Sequence, residues 1–501
     1  MLFGYSCTKD HDLFADTIQQ NIEDNISENT TEENENNTDE NLNINDKVST
    51  TLKAFPSAYG SAAGITGGRG FDVFRVYNLN ESGAGSFVDA MRLVKLNGGG
   101  NIVFEVAGVI NFTNIKLSLG ELKNCTIAGQ TAPAPGITIT SRSKITGWPM
   151  DNVIIRHIRI RPQYGVGDAF EAVASKNIIY DHVSLSWGSD ETLSSRHEGT
   201  NHTIQWCIIG EGKTGSIFGN SQKPSQNDAF DVHHSLYYNI SHRQPNFSTS
   251  GYAQMINNVV HNWDTRLSRI DHDVKLNHIG NYYSMGKRTN PPGFYSTGVK
   301  DTVWAVNQIN PVEGTEVYTS GNYIDKGWFT DLEADNSSGR MWRLFQSNVG
   351  KQVNEVPSKY FVNSRHVAPG IPIPTMDAIV AKDSVISHAG AHMFLDNNHF
   401  VVKQWDNIDN EYIEIMNSGE GAFEDYNNSP QTYTSEQRYI NFHSNYGGII
   451  SQRPSNWDTD IDGMPDSWEI AKFNTLQRNG KEDLDGDGYT DFEEYLNLID
   501  F

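Results

Sequence analysis

From residue 100 onward, short apolar runs recur along the chain at intervals of about 20 to 28 residues. Asn101–Phe104, Asn124–Ile127, Asn152–Ile158, Asn177–Val183, His202–Ile208, Ala229–Leu236, Ala253–Val260 and Asp273–Ile279 are each rich in β-branched side chains and bounded by Gly, Asn, Ser or Asp. These are strand patterns, and no long helical periodicity interrupts them. A propeller or a sandwich also supplies many short strands. A period near 25, with several strands per repeat and asparagine returning at equivalent corners where amides bond between coils, predicts instead an all-β chain wound as a right-handed parallel β-helix. Residues 85 to 96 carry an amphipathic helical pattern, expected to cap the open N-terminal end of the coil. The glycine-rich stretch Gly64–Gly70 reads as a tight turn and not as a dinucleotide loop, because no helix of a βαβ unit follows it. Residues 300 to 454 keep strand runs such as Glu316–Tyr323 among irregular stretches, and are expected to complete the coil and carry its loops.

Composition changes the picture at the two ends. The net charge of -24 is concentrated there: residues 1 to 47 hold 12 acids and 2 bases, residues 455 to 501 hold 13 and 3, and the middle holds 37 against 33. With no concentrated basic face, nucleic acid is excluded as a partner. Residues 8 to 50 are rich in Asn, Glu, Asp and Thr and predict a disordered tether. They follow Met1–Ser6 and Cys7, which read as a truncated signal remnant with a lipid anchor at Cys7. The expected organisation is therefore 1–50 remnant and acidic linker, 51–454 β-helix, and 455–501 a small C-terminal segment, in a monomer that is secreted or anchored at a bacterial envelope. Cys125 and Cys207 lie in apolar runs and are expected to be buried thiols. No stretch approaches the roughly 20 apolar residues needed to span a bilayer.

The last segment carries two copies of one pattern. Asp458, Asp460, Asp462, Asp466 and Glu469 stand at loop positions 1, 3, 5, 9 and 12 with Gly463 at 6, and Asp483, Asp485, Asp487, Asp491 and Glu494 repeat the spacing around Gly488. Oxygen ligands around a sharp glycine turn suit Ca2+, and a solvated acidic tail would not place both glycines and both glutamates. In the middle of the chain, Asp168, Asp190 and Glu191 fall on adjacent coils, Lys213 one coil later and Arg243 one after that. Like carboxylates repel unless a cation sits among them. Carboxylates at one end of a groove, with Lys and Arg beyond, suit an acidic polysaccharide whose uronate groups a calcium ion can bridge. A glycoside hydrolase using two or three of these acids, and a noncatalytic glycan-binding β-helix, stay open from these residues alone.

Gly167–Ala169, Tyr180-Asp181-His182, Ser186–Glu191, Lys213 before Ile217–Gly219, and His233–Asn239 leading to Arg243-Gln244-Pro245 together resemble the pectate lyases of polysaccharide lyase family one, over residues 54 to 330. The resemblance implies β-elimination in a uronate polymer. It matches Asp168, Asp190 and Glu191 to calcium ligands, Lys213 to the lysine on the substrate carboxylate, Arg243 to the proton-abstracting arginine, and Asp181 with His182 to a mainly structural pair. Two positions depart: Ser248 stands where family members carry a second arginine, and Asn246 replaces an intervening one. Arginine ordinarily ionises above about 12, so an alkaline optimum is expected. His242 is the rival base, set aside because strand alternation points it away from Arg243. The C-terminal loops look like the EF-hand-like pairs of dockerin or thrombospondin type 3 segments. Whether the polymer is galacturonan, its methyl ester or another polyuronate such as ulvan stays open.

Overall fold

A computed structural model of the chain describes residues 51–219, 222–263, 266–284, 286, 307–324, 334–345, 355–418, 442 and 449–500. The Cys7 anchor and the acidic tether lie outside the described residues.

Each coil supplies one strand to each of three long sheets, of ten, eleven and eight described strands. The coil of residues 176–196 is representative, with Lys176–Asp181 in the first sheet, Ser184–Ser186 in the second and Glu191–Arg196 in the third. Stacking is parallel and in register. Ile178, His202, Phe230, Ala253 and Leu276 form one continuous ladder, which is why the apolar runs repeat at a nearly fixed interval. All five are buried, and each large aliphatic or aromatic rung contributes about 1.5–3 kcal/mol through burial.

The corners explain the asparagines. Asn124, Asn152, Asn177 and Asn201 all adopt left-handed backbone, with φ of 48, 57, 58 and 60°, a conformation asparagine tolerates better than most residues. Asn152 donates to Asn124 Oδ1 at 2.9 Å and Asn201 to Asn177 Oδ1 at 2.6 Å, so the amides bond from coil to coil. A second ladder runs Asn258 to Asn281 to Asn322 at 3.0 and 2.9 Å.

The helix near the start spans Phe87–Asn97, N-capped by Ser86, with Phe87, Ala90, Met91 and Val94 buried. It packs on strands Val73–Val76 and Gly100–Phe104. Strands Asn307–Pro311, Glu316–Ser320, Asn322–Ile324 and Trp342–Leu344 extend all three sheets, as the strand runs suggest. Two helices within the irregular stretch, Ala378–His388 and Asn407–Ser418, lie outside the second sheet, where Val385, Ile386, Tyr412 and Ile413 cover Ile208, Leu236, Tyr238 and Val259. Arg161 anchors the second helix through Asp406 and, at 2.6 Å, Asp409. No described helix is long and apolar enough to cross a membrane. Cys125 and Cys207 are buried free thiols.

The chain end returns to the beginning of the coil. Strand Ile449–Gln452 pairs antiparallel with Val106–Phe112 at the edge of the second sheet. Helices Asp466–Phe473 and Asp491–Leu496 then bury Trp468, Phe492, Tyr495 and Leu496 against Val103 and Ala128 of the first sheet.

Candidate active site

The central patch forms along the leading edge of the third sheet. Leu193 pairs with Phe170, so Glu191 comes beside Asp168, two residues before each. The loop between the second and third sheets brings Asp190 to the same place. Ser189 and Asp190 donate their backbone N–H groups to the Gly167 carbonyl at 2.9 and 3.2 Å, and Ser189 Oγ accepts from Gly167 N at 2.9 Å. Gly188 is required in this loop, since a Cβ there would lie 2.4 Å from the Glu191 carbonyl oxygen.

As a result, Asp168, Asp190 and Glu191 each place one carboxylate oxygen within 4.8 Å of the others. At that separation each ionised pair repels by roughly 1 to 3.5 kcal/mol, between bulk-water and near-surface screening. Asp168 and Glu191 are buried, at 4% and 2% exposure, and Asp190 is exposed, so the cluster opens to solvent on one side. Burial raises the Asp168 carboxyl to about 6, with the Ser194 hydroxyl that donates to it opposing and Glu171 adding. Three hard oxygen donors, two of them desolvated, have the chemistry of a Ca2+ site.

Lys213 sits exposed at the head of strand Thr214–Gly219, its backbone N–H on the Gly188 carbonyl at 2.8 Å. Arg243 follows one coil later. Its backbone is left-handed, φ 68°, held by its N–H on Leu267 O at 3.1 Å and by its carbonyl accepting Ser216 N–H at 2.7 Å. A non-glycine residue there costs on the order of 1–3 kcal/mol, and such strain concentrates at functional sites. The guanidinium reaches Glu191 through Nη1, while its Nε is buried without a hydrogen-bond partner among the described residues. Burial holds the guanidinium below its ordinary range, Arg269 adding to this and Asp190 and Asp168 opposing. The alternation that sets His242 apart applies only to extended backbone and lapses at Arg243. What distinguishes the two is that Arg243 touches the carboxylate cluster.

Two site-facing residues escape the sequence reading. Where Asn246 and Ser248 stand in place of arginines, the next coil supplies Arg266 and Arg269. Arg266 Nη1 donates to Asn246 Oδ1 at 3.1 Å, and Arg269 is the register partner of Asn246. Burial, with Arg243 and Arg269 adding, lowers the Arg266 guanidinium to about 9. Carrying the repeat one coil past Asn246, to Arg266–Asp271, would have located both. Asp181 and His182 lie away from this patch. Asp181 is buried between Arg156 Nε, Gln205 Nε2 and His182 Nδ1 at 2.7, 2.7 and 2.9 Å, a structural network.

The C-terminal loops fold alike. Asp458 accepts from Ile461 and Gly463 N–H at 2.7 and 3.0 Å, and Asp483 accepts from Gly486 and Gly488 at 2.7 and 2.9 Å. Oxygens of Asp458, Asp460 and Asp466, of Asp460, Asp462 and Glu469, and of Asp483, Asp485 and Asp487 each come within 4.8 Å. In the second loop Asp491 and Glu494 are instead met by Arg478 and Lys472.

No protein-family model matches the chain. A protein of Aspergillus flavus named "Probable pectate lyase C" is 30% identical over 451 residues, covering 87% of this chain and 91% of its own. Its counterpart in Aspergillus terreus is 38% identical over 245 residues, 46% of this chain and 54% of the relative. Among solved structures, a Bacillus subtilis pectate lyase variant aligns with a TM-score of 0.43 at 18% identity, over 68% of this chain and 98% of its own. The cedar pollen allergen jun a 1 aligns with a TM-score of 0.44 at 13% identity, over 66% and 92%. On the strength of the A. flavus relative, matched across nearly the whole of both chains, this chain belongs to the pectate lyase family.

Proposed function

We propose that the chain is a pectate lyase that cleaves (1→4)-α-D-galacturonan by calcium-dependent β-elimination, leaving 4,5-unsaturated oligouronides. The observation that carries this reading is the cluster of Asp168, Asp190 and Glu191 with the Arg243 guanidinium on Glu191. These three carboxylates would hold the calcium ion. When bound, it withdraws charge from the uronate carboxylate and so acidifies the neighbouring C5 proton. Lys213 pairs with the same carboxylate, and Arg243 takes the C5 proton. The electron pair left behind forms the C4–C5 double bond as the C4–O glycosidic bond breaks, and the leaving oxygen is protonated from solvent.

The Glu191 contact favours charged Arg243 and opposes its use as a base. A cation on Glu191 removes that preference, while Arg266 and Arg269 disfavour a third positive charge beside them. Together these support an alkaline optimum. Three acids converging within 4.8 Å, with Lys213 and Arg243 on the coils beyond, suit a shared cation and an anionic polymer better than a single acid and base pair.

Asp458, Asp460, Asp462, Asp466 and Glu469, and the repeated set Asp483, Asp485, Asp487, Asp491 and Glu494, are read as further calcium ligands of an EF-hand-like segment spanning 455–501, with 51–454 as the lyase body. A wall polymer as substrate favours a secreted or surface-held monomer. The test is ultraviolet absorbance of unsaturated uronate during incubation with polygalacturonate, in calcium and then in chelator. A rise that chelator abolishes is expected. New reducing ends without absorbance would replace elimination by hydrolysis.

A further inference from the structure

We propose that a calcium ion in the first C-terminal loop fastens the end of the chain over the opening coils of the β-helix, so that it governs the stability of the fold and not its chemistry. This rests on the reading that the loops bind calcium. The first loop has more than an acidic cluster. Glu469 is fully buried, and both of its carboxylate oxygens lack a hydrogen-bond partner among the described residues, as does Asp462 Oδ2. Those oxygens converge with Asp460, itself grouped with Asp458 and Asp466. A buried, unpartnered carboxylate aimed at other carboxylates calls for a hard cation.

The position of the loop turns that site into a fastener. Gly463 lies so close to strand Val73–Val76, the outermost rung of the first sheet, that a Cβ would come 2.7 Å from Val73 Cγ1. Glu469 belongs to helix Asp466–Phe473, whose Trp468 packs in the cluster with Val103 and Ala128. One cation therefore ties the loop on the first rung to the helix that packs on the next two. Polar ties join the same segment to the early chain: Lys481 to Asp72 at 2.5 Å, Arg69 to Glu493 at 2.8 Å, and Asp500 to both Arg156, at 2.6 Å, and Ser57. The second loop is built differently, with Asp483, Asp485 and Asp487 exposed and its last two carboxylates met by bases.

The experiment is calcium titration of the full chain and of Glu469→Gln, Asp460→Asn and Asp190→Asn, read by calorimetric stoichiometry and by thermal melting with and without calcium. Wild type should gain about 3 °C in Tm at a hundredfold excess of calcium over Kd. Glu469→Gln and Asp460→Asn should each lose one calcium equivalent and most of that gain, whereas Asp190→Asn should keep most of it. Asp460 is exposed, so its variant serves where Glu469→Gln yields too little folded protein. A lost equivalent with an unchanged Tm gain would overturn the fastening role; an unchanged stoichiometry in both loop variants would overturn the site. Neither readout uses activity, so failure here is distinct from failure of the elimination reading, which absorbance tests.

Discussion

Replacing Arg243 by alanine removes two things, and they are measured separately. The first is the proton acceptor. General-base catalysis contributes about 10² to 10⁴-fold, or roughly 3 to 5 kcal/mol of barrier, so the elimination rate at saturating pectate should fall by that factor. The second is the partner of Glu191. Glu191 is 2% exposed, and losing the guanidinium leaves a buried carboxylate unsatisfied, a cost of about 1–3 kcal/mol. That cost depends on calcium. In chelator nothing replaces the guanidinium and the full loss appears, while in calcium a cation on Glu191 substitutes for it and the loss shrinks. The assays are absorbance of the unsaturated product and denaturant melts of wild type and Arg243→Ala in calcium and in chelator. Two results would refute the reasoning: activity within tenfold of wild type, or a stability loss of equal size in both buffers.

The carboxylate cluster gives a second prediction: Asp168→Asn and Asp190→Asn should each raise the calcium needed for half-maximal activity by tenfold or more, read by titrating metal-stripped enzyme at fixed pectate. Removing Arg269 (Arg269→Met) takes away a charge that disfavours protonated Arg243, so the rising limb of the rate profile, set by that base, should move to higher pH; an unmoved limb would show that the two guanidiniums do not communicate. Calcium's contribution to stability should grow as pH rises from about 4 to 8. Burial first, then neighbouring carboxylates, raises Glu469 to about 8, Asp462 to about 7 and Asp458 to about 6, and burial raises Asp168 to about 6. Unfolded, these acids ionise near 4, so each withdraws stability from the fold as it ionises across that window with no cation beside it. Buried histidines such as His202 and His261, which burial lowers to about 4, act in the opposite sense, so the difference between calcium and chelator is what reads the acids: urea midpoints in the two buffers should lie further apart at pH 8 than at pH 5.

The fold was legible because a β-helix writes its period into the chain. Ile178, His202, Phe230, Ala253 and Leu276 stack because each coil returns after a nearly constant length, and the asparagine corners repeat because a left-handed bend between sheets recurs at the same place. The same regularity brings Asp168 beside Glu191. It also points to Arg266 and Arg269, but only when the repeat is carried one coil past Asn246, because a search for a second arginine along one strand misses one supplied by the next coil. Helices Ala378–His388 and Asn407–Ser418 were hidden for another reason. Each is one short element packed once on the outside of a sheet, and no repeat amplifies its signal above the surrounding irregular chain.

The two acidic clusters differ in what surrounds them, and that separates their roles. Asp168, Asp190 and Glu191 stand at the solvent-facing edge of a sheet with Lys213, Arg243, Arg266 and Arg269 on the coils that follow, so a cation there meets a polyanion approaching from outside. In the first C-terminal loop Asp460 is exposed, but Glu469 and Asp458 are buried, Gly463 lies against Val73 and Phe492, and Met464 and Trp468 pack in the same cluster, so most of the site faces its own fold. A cation exchanged with substrate must be held loosely enough for the polymer to compete for it, whereas a cation enclosed by the fold is bound by everything that folding has already ordered. Partial chelation should therefore silence the elimination before it melts the coil. Loss of both at one calcium concentration would mean that the two clusters are not independent.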